Sequence, residues 1–305
     1  MRFVSSEDVH RLCVWTKLCD ALHEAHRGPE PKVDRSELHA TRSGQRETYF
    51  NLPAWQPGIA MGTKVVTVFP GNTELPAVQA LYPLFDGKTG EPLGVLDGTA
   101  LTYRKTAADS ALGSRLLSSP QSRTLLMVGS GALAPYLVEA HRAVRPSVDK
   151  VIIWNRDPAK AAKLADRLAA EAAADLEKAV READIVSCAT SSTTPLVKGE
   201  WLKDGAHLDL VGGFTPEMRE CDDEAVRLAR LFVDSRWFAI DQPGDLADPL
   251  RRGVIQRQDI EADLFELCRD GYEVNRKPDD ITLFKNGGGA HLDLFTALFI
   301  WRNLG

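Results

Sequence analysis

Apolar positions recur at two different periods along this chain, and the change of period divides it. Over residues 5–26, Val9, Leu12, Trp15, Leu18 and Leu22 fall along one side of a helix. A polar, proline-containing link runs from Arg27 to Asp34. From Ser36 to about Leu101 the texture turns to short β-type runs: Thr48 to Leu52, Lys64 to Phe69, Gln79 to Phe85 and Pro92 to Leu96. Pro70-Gly71-Asn72 and Asp86-Gly87-Lys88-Thr89-Gly90 mark turns among them, so an antiparallel sheet is expected. Residues 102–117 return to the helical period and end before Ser118-Ser119-Pro120.

From Arg123 onward, strand and helix alternate. Strands are expected at 124–129, 150–154, 184–189, 206–211 and 230–234, with helices at 132–144, 158–170 and 174–182. This alternation predicts an α/β fold built on a Rossmann-type, doubly wound parallel sheet. The alanine-rich stretch Ala169 to Ala174 leaves little room for the third strand of the first half, which is either very short or replaced by a turn. The apolar segment His291 to Leu304 is expected to pack back on the first domain or to bury against a second subunit. The expected division is a discontinuous α+β domain, 1–118 with 288–305, around a dinucleotide-binding domain, 119–287.

The strand at 124–129 ends in Gly129-Ser130-Gly131-Ala132-Leu133-Ala134, a G-x-G-x-x-A pattern. Gly129 allows the tight turn out of the strand. Gly131 lets the backbone approach a pyrophosphate at a helix N-terminus, and Ala134 lets helix and strand pack closely. The next strand ends in Asn155-Arg156 where an NAD-selective site usually carries an acidic residue. An amide does not repel a 2′-phosphate and a guanidinium can pair with it, so NADPH is expected over NADH. Asn155 could also cap the helix starting near Pro158, and the two roles are compatible.

Composition narrows the partners. With 305 residues, 44% of them hydrophobic, the chain can fill two cores. A net charge of -6 without a basic stripe argues against nucleic acid. The five cysteines form no C-x-x-C pair and read as small apolar fillers in a reducing, cytoplasmic setting. Glu7 and Asp8 leave no apolar core for a signal peptide, and no uncharged run reaches membrane-spanning length. His23 and His26 could share a helix face, but spacing places no third ligand, so no metal site is expected.

Four further segments could carry chemistry. Lys64 lies inside an otherwise apolar strand; it either points to solvent or is buried and then needs an anionic partner. Tyr103-Arg104-Lys105-Thr106 places cations at an expected helix start, against the helix dipole, which suits an anion site or a solvated helix end. Val211-Gly212-Gly213-Phe214 follows a late strand, at the edge where such sheets bind ligands. Lys285-Asn286-Gly287-Gly288-Gly289 allows close backbone approach to a ligand, or serves as a flexible link.

Taken together, Lys64 to Asn72, Leu96 through Ala111, Gly129 to Ala134, Trp154-Asn155-Arg156, Val211 to Glu220 and Ile281 to Lys285 resemble the ornithine cyclodeaminase/mu-crystallin family over nearly the whole chain. Gly131 to Pro135 and Asp209 to Glu220 are most similar to its bacterial reductases of cyclic imino acids. That resemblance implies NAD(P)H-dependent reduction of Δ1-pyrroline-2-carboxylate to L-proline, and in many members of Δ1-piperideine-2-carboxylate to L-pipecolate, by a homodimer. It implies that Lys64, Arg35 and Lys105 hold the substrate carboxylate, with Lys64 a candidate proton donor. It places Lys105, Thr106, Gly129, Gly131, Ala132, Leu133, Asn155, Arg156, Thr190, Val211 and Asn286 at cofactor-contacting positions.

The chain departs from the family pattern at three positions. Phe214 stands where cyclodeaminases carry a catalytic aspartate, and a phenyl ring cannot be a general base; it would instead wall water away from the imine. Lys105 replaces an arginine and loses the bidentate fork. Asn286 replaces a serine. Alternatives on the same scaffold are alanine dehydrogenation, cyclodeamination by another base, or NADPH and small-ligand binding without turnover.

Overall fold

The computed structural model describes residues Met1–Gly305, which form two compact units, Met1–Lys105 with Ala290–Gly305, and Thr106–Gly289. The first unit holds strands β1 (Arg2–Val4), β2 (Lys32–Val33), β3 (Ser36–Arg42), β4 (Gln45–Gln56), β5 (Ala60–Val68), β6 (Val78–Asp86) and β7 (Pro92–Asp97). Their order is β1-β7-β6-β5-β4-β2, with β3 also pairing β4. All pairings are antiparallel except that of β1 with β7. The final helix, Ala290–Asn303, packs against β4, β5 and the helix Trp15–Arg27, as its apolar composition predicts. His26, His291 and Phe295 meet edge-on in that contact, with His26 5.3 Å from each of the other two rings. Burial lowers the pKa of His26 to about 4 and keeps the ring neutral.

Two expectations change here. The helix expected over 5–26 is two helices, Ser6–Leu12 and Trp15–Arg27. Cys13 leaves helical geometry at ψ 67° and Val14 is extended, a break that no proline or glycine announces. The helix expected at 102–117 begins at Gly98, because Asp97 accepts the Ala100 N–H at 2.8 Å and caps it earlier. Arg104 and Lys105 therefore lie nearly two turns inside the helix, and the dipole argument for a cation at its start does not apply.

The compact units part inside this helix, between Lys105 and Thr106, rather than at the texture change near Ser118. Its later residues already belong to the second core. A Cβ at Gly113 would come within 2.7 Å of the Phe284 ring, so glycine permits a close helix–sheet approach. The guanidinium of Arg145 closes the helix end, donating to the carbonyls of Ser114 (3.0 Å), Arg115 (2.6 Å) and Ser118 (3.0 Å).

The second unit is an eight-stranded sheet in which every pairing is parallel. Its strands are β8 (Thr124–Val128), β9 (Lys150–Trp154), β10 (Glu171–Ala173), β11 (Ile185–Cys188), β12 (His207–Leu210), β13 (Arg230–Val233), β14 (Ile260–Asp263) and β15 (Thr282–Lys285). The doubtful third strand is present as the three residues of β10. β14 is a strand the sequence pattern does not predict: three of its four residues are buried, but Glu261 and Asp263 interrupt any apolar run. The order is β10-β9-β8-β11-β12-β15-β13-β14.

A row of apolar side chains, Ile152, Leu126, Val186, Leu208, Leu283 and Leu231, lies in register across the sheet and is buried. Each such side chain stabilises the fold by about 1.5–3 kcal/mol. One residue along, Ser187 and Asp209 face the other way, and Asp209 accepts from Ser110 (2.8 Å), Ser187 (2.6 Å) and His141 (3.2 Å). Burial pushes this carboxyl up, but His141 and Ser187 outweigh it and hold its pKa below the usual value.

Candidate functional site

The strand order reverses between β8 and β11, and the crevice at the carboxyl ends of these neighbours is where doubly wound sheets bind ligands. A cavity of about 410 Å³ opens there, lined by Gly129–Gly131, Trp154–Arg156, Ala189–Thr194 and Leu196. Its floor is the glycine turn. Gly129 has φ +110°, and a Cβ there would sit 2.6 Å from the Ala189 carbonyl oxygen. A Cβ at Gly131 would meet nothing within 4 Å, so the backbone faces open space. The helix Ala134–Val144 starts beside it with no side-chain cap on its first turn and a proline at the start. The Ala134 and Tyr136 N–H groups already donate to the carbonyls of Gly131 and Leu133, both at 3.1 Å, and Pro135 has none, so it is the open backbone of the glycine turn at the helix N-terminus that fits a pyrophosphate.

Of the residues expected at the cofactor, Gly129, Gly131, Asn155, Arg156 and Thr190 line this cavity. Ala132 is exposed and Leu133 half-buried in the turn next to it. Asn155 ties two turns together: its Nδ2 donates to Ser130 Oγ (2.7 Å) and its Oδ1 accepts the Asp157 N–H (2.8 Å). The cap of helix Pro158–Leu168 is Asp157 rather than Asn155, accepting from Ala159 N at 3.0 Å. No carboxylate lines the cavity, and the Arg156 side chain is exposed at its edge.

Val211, Lys105, Thr106 and Asn286, also expected at the cofactor, do not line the cavity. Val211 N donates to the Cys188 carbonyl at 2.9 Å, fixing the end of β12 to that of β11. The Asn286 amide is buried and donates to the Thr106 carbonyl (3.0 Å) and to Ser110 Oγ (3.1 Å), so it ties strand end to helix. The Phe214 ring, expected as an apolar wall, is 62% exposed. It stands in the loop after β12, beside Gly213, where a Cβ would come within 2.4 Å of the Asp245 carboxylate.

Sequence reasoning assigned no role to Glu220 and Asp245. Glu220 is fully buried; Oε1 accepts from the N–H (2.6 Å) and hydroxyl (2.9 Å) of Thr190, and Oε2 from the N–H of Gly212 (2.7 Å). Asp245 accepts the Glu220 N–H at 2.7 Å and pairs with the buried Lys285 ammonium at 3.0 Å. Burial and Asp245 push the Glu220 carboxyl up to about 8. Burial works against the Lys285 charge, but Asp245 and Glu220 outweigh it and raise its pKa. The available signal was a buried-type lysine ending a strand, without any local clue to its partners.

In the first unit, Lys64 lies on the buried face of β5 with Ala60 and Gly62. Its ammonium is 2.9 Å from the carboxylate of Asp293, which is fully buried on the final helix. Gly62 leaves room for Tyr82 on β6, whose hydroxyl would sit 2.6 Å from a Cβ there. Burial, and then Asp293, raise the Tyr82 pKa well above the ordinary phenol value. Lys105 is also buried, 1% exposed. Burial, then His26 and Lys105, hold His291 well below the usual histidine pKa, so it is neutral. Arg104 is turned away, over the Trp15 ring at 4.3 Å and 2.9 Å from His10 Nδ1.

Arg35 lies in the link between β2 and β3, opposite Leu52, which pairs with Lys64 across β4 and β5. Its guanidinium pairs with Glu37 and lies 5.2 Å over the Phe50 ring. The structure thus brings Lys64 to the same level of the sheet as Arg35, on the other side of β4, and holds each cation on its own carboxylate.

The sequence profile of the ornithine cyclodeaminase/mu-crystallin family matches residues 2–304. Protein SAR DEFICIENT 4 of Arabidopsis thaliana is 44% identical over 263 residues, 82% of this chain and 81% of its own. A Δ1-pyrroline-2-carboxylate reductase of Paracoccus denitrificans is 40% identical over 308 residues, 99% of this chain and 96% of its own. Among solved structures, the Δ1-pyrroline-2-carboxylate reductase of Thermococcus litoralis with NADH and L-proline superposes with a TM-score of 0.89 at 29% identity, covering 99% of this chain and 97% of its own. The chain belongs to the ornithine cyclodeaminase/mu-crystallin family.

Proposed function

We propose that this protein is an NAD(P)H-dependent reductase of a cyclic imino acid, converting Δ1-pyrroline-2-carboxylate to L-proline, with Δ1-piperideine-2-carboxylate as a second substrate. The observation that carries this reading is the presence in one chain of a glycine-floored, uncapped-helix cradle for a dinucleotide and a buried lysine suited to an anionic substrate. The names of the relatives support it: reductases of this imino acid match at 40% and 35% identity over nearly the whole chain.

The chain's own residues supply binding and charge. A reduced nicotinamide, when bound, supplies the hydride that becomes the Cα–H of the product. Gly129, Gly131 and the turn leading into helix Ala134–Val144 would hold the pyrophosphate, and Asn155 and Arg156 would take the adenosine ribose and its 2′-phosphate, which would favour NADPH. Thr190, on the cavity wall, would meet the nicotinamide, and Thr106 and Val211, outside that lining, would meet the ring only beyond the cavity. Lys64, with Arg35 and Lys105, binds the substrate carboxylate. The C=N electron pair returns to the ring nitrogen as the carbon is reduced, so the cationic iminium is the form that reacts. Lys64 Nζ supplies that proton to the imine nitrogen when the substrate arrives neutral. Phe214 offers no base for water attack, which disfavours cyclodeamination. A homodimer in the cytoplasm completes the reading.

Product analysis tests it. Incubation with Δ1-pyrroline-2-carboxylate and NADPH is expected to yield L-proline by chiral chromatography. Ammonia released from L-ornithine without added reductant, and no proline from the imine, would replace this reading with cyclodeamination.

A further inference from the structure

We propose that Glu220 is a positioning residue for the cofactor: its carboxylate, oriented by the Lys285–Asp245 pair, fixes the Thr190–Thr194 wall of the cavity. This rests on the reading of that cavity as the dinucleotide site.

The wall consists of Thr190-Ser191-Ser192-Thr193-Thr194. None of these side chains is apolar, so burial cannot hold the segment in place and polar ties must. Those ties converge on residues 219 and 220. Both Thr190 donors reach Glu220 Oε1, at 2.6 and 2.9 Å. The Arg219 N–H donates to the Ser192 carbonyl at 2.8 Å, and the Leu196 and Val197 N–H groups both donate to the Glu220 carbonyl at 3.0 Å. Through Oε2 the same carboxylate also accepts from Gly212 and, at 3.4 Å, Gly213, so it bridges the ends of β11 and β12. Glycine is required at 212, because a Cβ there would lie 2.0 Å from the Thr190 carbonyl oxygen.

A carboxylate bridging two loops works only if it is itself fixed. Asp245 does this with both oxygens, one on the Glu220 N–H at 2.7 Å and the other on Lys285 Nζ at 3.0 Å. Lys285 ends β15 and is fully buried. A hydrogen-bonded chain therefore runs from the Lys285–Asp245 ion pair in the sheet interior through Glu220 to the cavity wall. Above pH about 8, where Glu220 is ionised, an isosteric amide at 220 keeps the shape but turns one acceptor into a donor facing another N–H. The Thr190 end of the wall then loosens, while the backbone ties of Ser192 and Leu196 to residues 219 and 220 and the floor of the cavity stay intact.

The test compares the wild-type protein with E220Q and E220D above pH about 8, where Glu220 is ionised. NADPH affinity is read from nicotinamide fluorescence, the imino acid KM is measured at saturating NADPH, and thermal melting is followed in parallel. E220Q is expected to weaken NADPH binding at least ~10-fold with the imino acid KM unchanged, and E220D to fall between. A purely structural role would lower the melting temperature and leave the NADPH Kd alone; that result in E220Q overturns the proposal. If E220Q does not fold, E220D decides, and a wild-type Kd there overturns it. Wild-type protein that binds neither NADPH nor NADH overturns the cofactor reading, and this proposal with it.

Discussion

Lys64 and Asp293 stand 229 positions apart in the chain, yet the lysine ammonium lies 2.9 Å from the aspartate carboxylate in the interior of the first unit. The apolar final helix returns to β5 and delivers the one carboxylate that a buried lysine there requires. Removing either partner leaves the other charge buried and unpaired, a cost of about 3–5 kcal/mol. D293A is therefore expected to lower stability by that amount in chemical denaturation. K64A is expected to lower kcat/KM for the imino acid by ~100-fold or more, with NADPH affinity retained. Near-normal turnover by K64A would remove Lys64 from the mechanism.

Lys105 stands where the resemblance places an arginine. At 1% exposure a larger head group has to be fitted into the interior. K105R is expected to destabilise by about 1–3 kcal/mol rather than to improve substrate binding. K105M keeps the stem without the charge, and should raise the imino acid KM about tenfold without moving the NADPH Kd. Melting curves and initial rates separate the two effects.

Cofactor choice should follow Asn155. Its amide now donates to Ser130, and an aspartate there could instead accept from the Ser130 hydroxyl, so N155D is expected to fold. The new carboxylate would repel a 2′-phosphate and accept from a ribose hydroxyl. The ratio of kcat/KM for NADPH to that for NADH should fall by about tenfold or more. An unchanged ratio would place the adenosine elsewhere.

The glycine turn, the parallel sheet and the return of the final segment were legible because each rests on local pattern. G-x-G-x-x-A needs only six consecutive residues, and buried strands such as Leu125–Val128 are continuous apolar runs. The break at Cys13–Val14 was not legible, since neither residue is a helix breaker and tertiary packing decides it. The early helix start at Gly98 depended on one Asp97 cap, which the apolar period does not report. Lys64 could be read as a buried cation, but Asp293 could not be read as its partner. Glu220 and Asp245 stayed invisible for the same reason: their partners come from three different strand ends.

The raised pKa of Glu220 has a thermodynamic consequence. The group sits near 4.5 when unperturbed and is pushed up to about 8 in the fold by burial and by Asp245. A raised folded value means the neutral carboxyl favours folding. That stability is fully present below pH about 4.5 and is lost as pH rises through about 8. E220Q cannot ionise. Its melting temperature relative to wild type should therefore improve on going from below that window to above it. A difference that does not change with pH would mean that Glu220 is ionised at its ordinary value.

The central claim is imine reduction, and the most direct measurement follows the near-ultraviolet absorbance of the reduced cofactor as purified protein meets Δ1-pyrroline-2-carboxylate. The account predicts rapid loss of NADPH that depends on the imine, with slower loss of NADH. Imine-independent absorbance, or no loss with either cofactor, would contradict it.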